Sequence, residues 1–188
     1  MPGLRHLHLA LAALIIPALA AAQTVPAPSA DTRARAMAAS FNKSKHVSKE
    51  KRGIRKEKFL EITSVPAIRA DPSAYSGNYR VEGMGFSLDL RVAPDGTVEG
   101  TGYDPVEFES NVMRQYTLTN ARVQSGLLSA TKTYANGTTQ TVEGVFIDRT
   151  TKTSPTDPGS TVFGLGISGN FGHISGITLT KLFYQRAR

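Results

Sequence analysis

The chain contains no cysteine and no tryptophan among its 188 residues. Without cysteine it can form neither a disulfide bond nor a thiolate metal site, and it has no thiol to carry a lipid anchor. We therefore expect its stability to come from a packed core alone, and any attachment to a surface to be non-covalent.

Histidine is also scarce, because only His46 and His173 of the four histidines lie beyond residue 22. Two histidines exclude a His-cluster metal site, and a Ser-His-Asp arrangement would depend on His173 alone. The sequence has no G-x-S-x-G nucleophile motif either. We expect a non-enzymatic protein with no metal and no cofactor.

A cluster of three acidic residues leaves a hydrolase as an alternative function. Asp104, Glu107 and Glu109 lie between Tyr103 and Asn111, in a predicted loop. Paired carboxylates can cleave glycosides or bind a hard cation such as calcium. A solvated loop explains the same residues, and we favour it because the sequence does not define the spacing of the carboxylates in space.

Long apolar runs are missing except at the start of the chain. Residues Met1 to Ala22 combine an early cation, Arg5, with an apolar run and a small-residue exit, which is the pattern of a secretory signal. The run is too short to span a bilayer, and no later stretch reaches about 20 apolar residues. We expect cleavage near Ala22, export to the periplasm or the extracellular space, and no membrane span.

Positive charge in excess is confined to one part of the chain. Residues 31–71 contain 11 basic and 5 acidic residues, whereas residues 72–188 contain 10 of each. Clustered cations attract phosphate-rich surfaces. Because export makes nucleic acid an unsuitable partner, the pattern favours an anionic surface of the cell envelope.

Residues 23–71 are predicted to form a basic N-terminal segment or linker, partly helical or disordered. Asp31 is expected to cap a short helix that ends at Phe41, and residues 59–68 to form an edge strand limited by Pro66. The candidate docking residues are the cations between these elements: Lys43, Lys45, Lys49, Lys51, Arg52, Arg55, Lys56 and Lys58. A solvated linker that spaces the next domain from a partner is an equal alternative.

Residues 72–188 are predicted to form one small all-β domain. Short alternating runs recur about every 8 to 12 residues, which is typical of an antiparallel sandwich or barrel. About eight strands can be assigned to a meander, and closure into a barrel would remove its exposed edges.

The tetrapeptide Thr-Val-Glu-Gly occurs twice, after Asp95-Gly96 and after Asn136-Gly137. In the first hairpin a three-residue loop pairs Val92 with Val98 and places Glu99 opposite Arg91, on the surface. In the second, Asn136-Gly137 suits a two-residue loop, which would place Glu143 diagonal to Lys132. Both glutamates therefore have a structural explanation.

The segments Gly77-Asn78-Tyr79 and Phe86 to Leu90, followed by Asp95-Gly96 and Gly100, resemble the opening of small calycin-type barrels, above all the avidin-like ones. The resemblance covers about 26 residues and implies a closed barrel with an internal ligand site. Those families usually carry tryptophan where Tyr79 stands, and avidins wall their biotin pocket with several tryptophans. Biotin binding is therefore not implied for this chain.

The sequence supports two hypotheses about function. The first is binding of a small apolar or amphipathic ligand inside the barrel, since an eight-stranded barrel can hold one small ligand. Its predicted inner face comprises Tyr79, Phe86, Leu88, Leu90, Val98, Phe146 and Leu179. The second is an interaction or structural role at the cell envelope, with the basic segment as the docking element.

Overall fold

The computed structural model describes residues 27–51, 54–106, 112–171, 173–174 and 177–187. In this part of the chain there are one α-helix, one short 3-10 helix and twelve strands. The helices are α1 (Ala30–Ala39) and the 3-10 turn Pro72–Tyr75. The strands are β1 (Lys43–Lys51), β2 (Ile54–Pro66), β3 (Gly77–Arg80), β4 (Ser87–Val92), β5 (Val98–Pro105), β6 (Met113–Gln124), β7 (Leu127–Tyr134), β8 (Thr139–Lys152), β9 (Ser160–Ser168), β10 (His173–Ile174), β11 (Ile177–Thr178) and β12 (Lys181–Arg186).

Eight strands close into an antiparallel barrel, as predicted. Strands β3 to β8 pair in sequence order, β8 pairs with β9, and β12 closes the circle between β9 and β3. The predicted signal sequence lies outside the described residues. Closure leaves none of these eight strands with a free edge along its full length, which limits edge-to-edge association.

The alternation of side chains positions the barrel interior. In β4 the buried residues are Leu88, Leu90 and Val92, and the residues between them face outward. Glycine is needed opposite them on β5, because a Cβ atom at Gly102 would lie 2.4 Å from the Tyr116 hydroxyl. The interior is therefore filled closely enough to exclude even a methyl group at this position.

The predicted register of the first hairpin is confirmed. Val92 pairs with Val98 and Arg91 with Glu99, across a turn in which Gly96 has a φ angle of 85°. Pairing outside the barrel with Arg91 gives Glu99 a structural role, worth less than about 1 kcal/mol at the surface.

The predicted register of the second hairpin is wrong by one residue. Thr133 pairs with Thr139, and the Tyr134 amide donates to the Thr138 carbonyl, so the loop has three residues. Gly137, with a φ angle of 81°, takes the left-handed position that closes such a loop. Glu143 consequently pairs with Ser129 in the sheet and forms an ion pair with Arg33 of α1, away from Lys132.

One end of the barrel is closed by the 3-10 turn. Its Tyr75 stacks on Phe146 with ring centroids 4.3 Å apart, and the Tyr75 hydroxyl donates to the Ala67 carbonyl. The Tyr79 hydroxyl in turn donates to the Tyr75 carbonyl. These contacts fix the entry of the chain into the barrel.

Helix α1 packs on the outside of the barrel. Its buried Ala34 and Ala38 cover the outward-facing Leu127, Val145 and Ile147. The cap lies two residues earlier than predicted, at Ser29, whose hydroxyl accepts from the Thr32 amide, and the helix ends at Ala39 and not at Phe41. The predicted cap, Asp31, pairs instead with Arg35 one turn later.

The basic segment forms a long hairpin that extends the barrel sheet. Strand β8 pairs with β7 up to Val145, and beyond that point β2 takes the place of β7 and pairs with β8 from Ile147 to Lys152. Strand β2 is therefore longer than the predicted edge strand. It pairs with β1 over residues 54–62 and with β8 over residues 61–66, so the two pairings overlap at Glu61 and Ile62. Pro66 lies at the end of β2, where a missing amide donor is tolerated.

Candidate functional site

The candidate functional site is one face of the β1–β2 hairpin, which we call the lysine face. Side chains alternate between the two faces of a strand, so positions of equal parity share a face. Lys43, Lys45, Lys49 and Lys51 all fall on odd positions of β1, and the register pairs odd positions of β1 with even positions of β2, which include Lys56 and Lys58.

Exposed cations and apolar side chains alternate across the lysine face. Lys43, Lys45, Lys49 and Lys58 are exposed, whereas Val47 and Leu60 are half-buried. In the register Lys45 lies opposite Leu60, and Val47 lies opposite Lys58. The long methylene stems of lysine can cover such apolar neighbours while their ammonium groups remain in water.

The acidic residues of the hairpin occupy the opposite parity. Glu61 pairs with Ser44, Glu57 with Ser48, and Glu50 with Arg55. On this second face the rings of His46 and Phe59 meet in a T-shaped contact, with centroids 6.2 Å apart. The hairpin thus separates its charges, and no carboxylate position lies among those of the lysine face.

The register also places two lysine positions directly opposite each other, Lys49 on β1 and Lys56 on β2. Of the other predicted docking residues, Arg55 lies at a position of the second face, and Arg52 lies outside the described residues.

The residues predicted to line a ligand cavity lie inside the barrel. Six are almost fully buried in one continuous core, and Leu179 packs against that core while partly buried. The Phe146 ring is also 5.9 Å from that of Tyr79, and the Phe86 ring is 6.3 Å from that of Tyr184. The buried six are Tyr79, Phe86, Leu88, Leu90, Val98 and Phe146. Their role in ligand binding stays a prediction.

A buried ion pair lies near the other end of the barrel, opposite the 3-10 turn. Asp104 and Lys132 are only 5% and 2% exposed, and the lysine Nζ is 2.9 and 2.7 Å from the two carboxylate oxygens. The ammonium also lies 4.3 Å from the centre of the Tyr116 ring. Burial lowers the pKa of Lys132, and the Asp104 carboxylate opposes that effect.

Two tyrosines complete this buried polar cluster. The Tyr134 hydroxyl donates to Asp104 Oδ2 at 2.7 Å, whereas the fully buried Tyr184 hydroxyl has no hydrogen-bond partner among the described residues. Burial raises the pKa of both phenols. The carboxylate of Asp104 is therefore fully engaged by protein donors and is not presented to a substrate.

The expectation of a solvated acidic loop is wrong for Asp104. Asp104 lies in β5 with its side chain on the inner face, because it shares the parity of Val98. Glu107 and Glu109 lie outside the described residues. Within the described ranges no group of three histidine, aspartate or glutamate side chains is placed to hold a metal ion.

Neither the lysine face nor the buried pair of Asp104 and Lys132 was predicted from the sequence, although the sequence carries a signal for each. Lys132 shares its parity with Leu128, Ala130 and Tyr134, so a lysine on an apolar face indicated a buried partner. The odd spacing of the lysines in residues 43–51 indicated a strand with one cationic face, but the density of charge suggested a solvated linker instead.

Comparisons with known proteins do not identify this chain: no family model, no curated protein and no solved structure matches it. None of the helices within the described ranges is long and apolar enough to cross a membrane. The function must therefore be argued from the site itself.

Proposed function

We propose that this protein is exported and docks onto anionic lipid bilayers through its lysine face. The observation that carries the proposal is the separation of charge on the β1–β2 hairpin, where four exposed lysines and two apolar side chains share one face. The barrel supplies a rigid support, and its own part of the sequence has no excess charge.

The apolar residues favour a lipid surface over a soluble polyanion. Val47 and Leu60 are only half-buried, and they lie opposite lysines in the register. Interfacial segments combine cations with apolar side chains that enter the boundary between headgroups and acyl chains. A nucleic acid or an anionic polysaccharide would offer no such apolar layer to these two residues.

The expected strength of docking follows from the number of lysines. A lysine close to an anionic bilayer contributes about 1 kcal/mol, and this attraction decreases within about one Debye length. Lys45, Lys49 and Lys58 would together contribute about 3 kcal/mol, which is about a hundredfold in affinity. Docking should therefore be reversible and sensitive to salt.

Export is part of the proposal because the first 22 residues have the composition of a secretory signal. The mature protein would then meet lipid in the periplasm or at the outer surface of the cell. The chain has no cysteine to carry a lipid anchor, so its attachment to the membrane would be non-covalent.

The alternative function, a small apolar ligand inside the barrel, receives less support from the geometry. The inner-face rings contact one another, and Tyr75 stacks on Phe146 at one end. At the other end the polar groups of Asp104 and Lys132 are paired with each other. An apolar ligand would have to displace these contacts in order to enter.

The proposal is tested by co-sedimentation with vesicles of phosphatidylcholine, with and without phosphatidylglycerol. The test variant carries Lys45→Gln, Lys49→Gln and Lys58→Gln. The matched control carries Arg35→Gln, Arg80→Gln and Arg91→Gln, which remove three exposed cations elsewhere. We expect binding to anionic vesicles only, and about a hundredfold loss for the test variant but not for the control.

A second pair of substitutions distinguishes lipid from a polymer. Val47→Ser and Leu60→Ser should weaken binding to anionic vesicles and leave binding to soluble polyphosphate unchanged. Equal loss in the lysine variant and its control would show that only net charge matters, and the proposal would fail. Retention of vesicle binding in the serine variant would also contradict docking into lipid.

A further inference from the structure

A surface groove lies between the C-terminal end of α1 and the outer face of β8, β9 and β12. Its volume is about 690 Å³, which is within the usual range for sites that bind small molecules. Two aromatic side chains, Phe41 and Phe183, form part of its lining, together with Lys43, Arg149 and Lys181.

Two glycines of β9 make room for the aromatic rings of the groove. A Cβ atom at Gly164 would lie 2.6 Å from the Phe183 ring, and one at Gly166 would lie 2.8 Å from the Phe41 ring. The two rings therefore lie directly against the backbone of β9. This close approach explains why glycine occupies two alternate positions of an otherwise apolar strand.

Each of the two rings forms a cation–π contact. The guanidinium carbon of Arg149 is 4.7 Å from the centre of the Phe183 ring, and Lys181 Nζ is 5.8 Å from the centre of the Phe41 ring. Such contacts orient the cations without neutralising their charge. The groove is thus both apolar and cationic.

Within the described ranges no ion pair compensates the charges of Arg149 and Lys181. Lys181 Nζ donates to the Ser40 carbonyl, whereas the buried Arg149 Nε has no hydrogen-bond partner in this part of the chain. Glu82 is the one acidic side chain in the lining, against three cations. Burial without a counter-charge lowers the pKa of Arg149.

We propose that this groove is a binding site for a small organic anion, a carboxylate, sulfonate or phosphate attached to a flat apolar body. The anionic group would be held by Arg149 and Lys181, and the apolar body would lie against the rings of Phe41 and Phe183. Charge-assisted hydrogen bonds to a partly buried arginine are strong, because the arginine has already lost part of its hydration.

The site is independent of the proposed docking function, although Lys43 lines the groove and also lies at the base of the lysine face. Arg149 and Lys181 belong to the outer face of the barrel, on β8 and β12. A ligand could therefore bind here whether or not the hairpin meets a membrane.

The test uses two fluorescent probes that differ in charge. Anilinonaphthalenesulfonate carries an anionic sulfonate on an aromatic body, and phenylnaphthylamine has a similar body without the charge. We expect the sulfonate to bind the full-length protein more tightly than the neutral probe. Arg149→Gln should lower the affinity for the sulfonate by about tenfold or more and change the affinity for the neutral probe by less than about twofold.

Control variants keep the test specific to the groove. Arg91→Gln, on β4, removes an exposed cation outside the groove and should leave both probes unaffected. Lys181→Gln provides a second substitution, at an exposed position, should Arg149→Gln fail to fold. The variant with Lys45, Lys49 and Lys58 replaced should bind the sulfonate normally, which separates this site from the docking function.

Two results would overturn the inference. Equal affinity for the charged and the neutral probe would show an apolar surface without an anion site. Unchanged sulfonate binding in both Arg149→Gln and Lys181→Gln would place the probe elsewhere on the protein.

Discussion

The buried ion pair between Asp104 and Lys132 gives the sharpest prediction about stability. At 2.7 Å and an effective dielectric constant of about 20, the two charges attract each other by about 6 kcal/mol. Removing two ions from water costs several kcal/mol each, so the net contribution of the intact pair is close to zero. The consequence of breaking the pair is different, because one charge then remains buried alone.

We expect Lys132→Met to lower the free energy of unfolding by about 3 to 5 kcal/mol. The methionine fills most of the lysine volume, so the loss measures the unpaired carboxylate and not a cavity. Asp104 would keep one partner, the Tyr134 hydroxyl at 2.7 Å. Asp104→Leu should cost a similar amount, because it leaves the ammonium of Lys132 buried.

The double variant Asp104→Leu/Lys132→Met should recover most of this loss. It buries no charge, and Tyr134 keeps a second acceptor, Gln140 Oε1, at 3.3 Å. We expect its free energy of unfolding within about 2 kcal/mol of the wild type, which gives a coupling energy of about 4 kcal/mol or more. Should the single variants fail to fold, the double variant must still fold.

The assay is urea unfolding followed by far-ultraviolet circular dichroism. Arg35→Met is the matched control, because the Asp31–Arg35 pair joins side chains that are 47% and 67% exposed. That control should leave the urea midpoint almost unchanged, because exposed ion pairs contribute little to stability. A cost below about 1 kcal/mol for Lys132→Met, or a double variant no more stable than either single one, would refute this account of the pair.

Two further predictions concern the buried tyrosines. Tyr134→Phe should destabilise the fold by about 1 to 3 kcal/mol, because it removes a donor to Asp104. Tyr184→Phe should be neutral or stabilising, because the buried hydroxyl has no partner among the described residues. Urea unfolding that ranks the two variants in reverse order would contradict this. Besides Tyr75 and Tyr134, burial raises the pKa of three further tyrosines. With these three the folded state keeps protons that the unfolded chain loses above pH about 10, and stability should fall with rising pH by up to about 4 kcal/mol per pH unit. Their tyrosinate absorbance should appear only together with loss of circular dichroism, and titration in the folded state would disprove it. The three are Tyr79, Tyr116 and Tyr184.

Much of the barrel could be predicted from the sequence because local rules set its hairpins. The apolar alternation of Leu88, Leu90 and Val92, together with Gly96 at the turn, determined the first register. In the second hairpin Asn136-Gly137 is compatible with loops of two or three residues. The three-residue loop pairs the buried Ala130 with Val142, whereas a two-residue loop would pair it with Glu143. The inward-facing Lys132 obscured this choice, because its partner Asp104 is not local in sequence.

The basic segment was harder to predict for a related reason. A charged hairpin that is isolated in water is marginal, because it buries little apolar surface. Here β8 is 14 residues long, extends past β7 and provides an edge to which β2 pairs. The order of residues 43–66 thus depends on a strand about eighty residues later, which no local pattern reveals.

The same arrangement determines which experiments can separate the two proposed surfaces. Strand β8 carries Arg149 of the groove and, in the register, pairs that residue with Ser64 of β2. Deleting the basic run from Phe41 to Lys58 would remove Phe41 and Lys43 from the groove and would also remove the whole of β1, the partner strand of β2. Such a deletion would impair both surfaces at once, so its loss of binding could not be assigned to either. Point substitutions at Lys49 and at Arg149 change one surface each and leave the pairing of β2 with β8 intact.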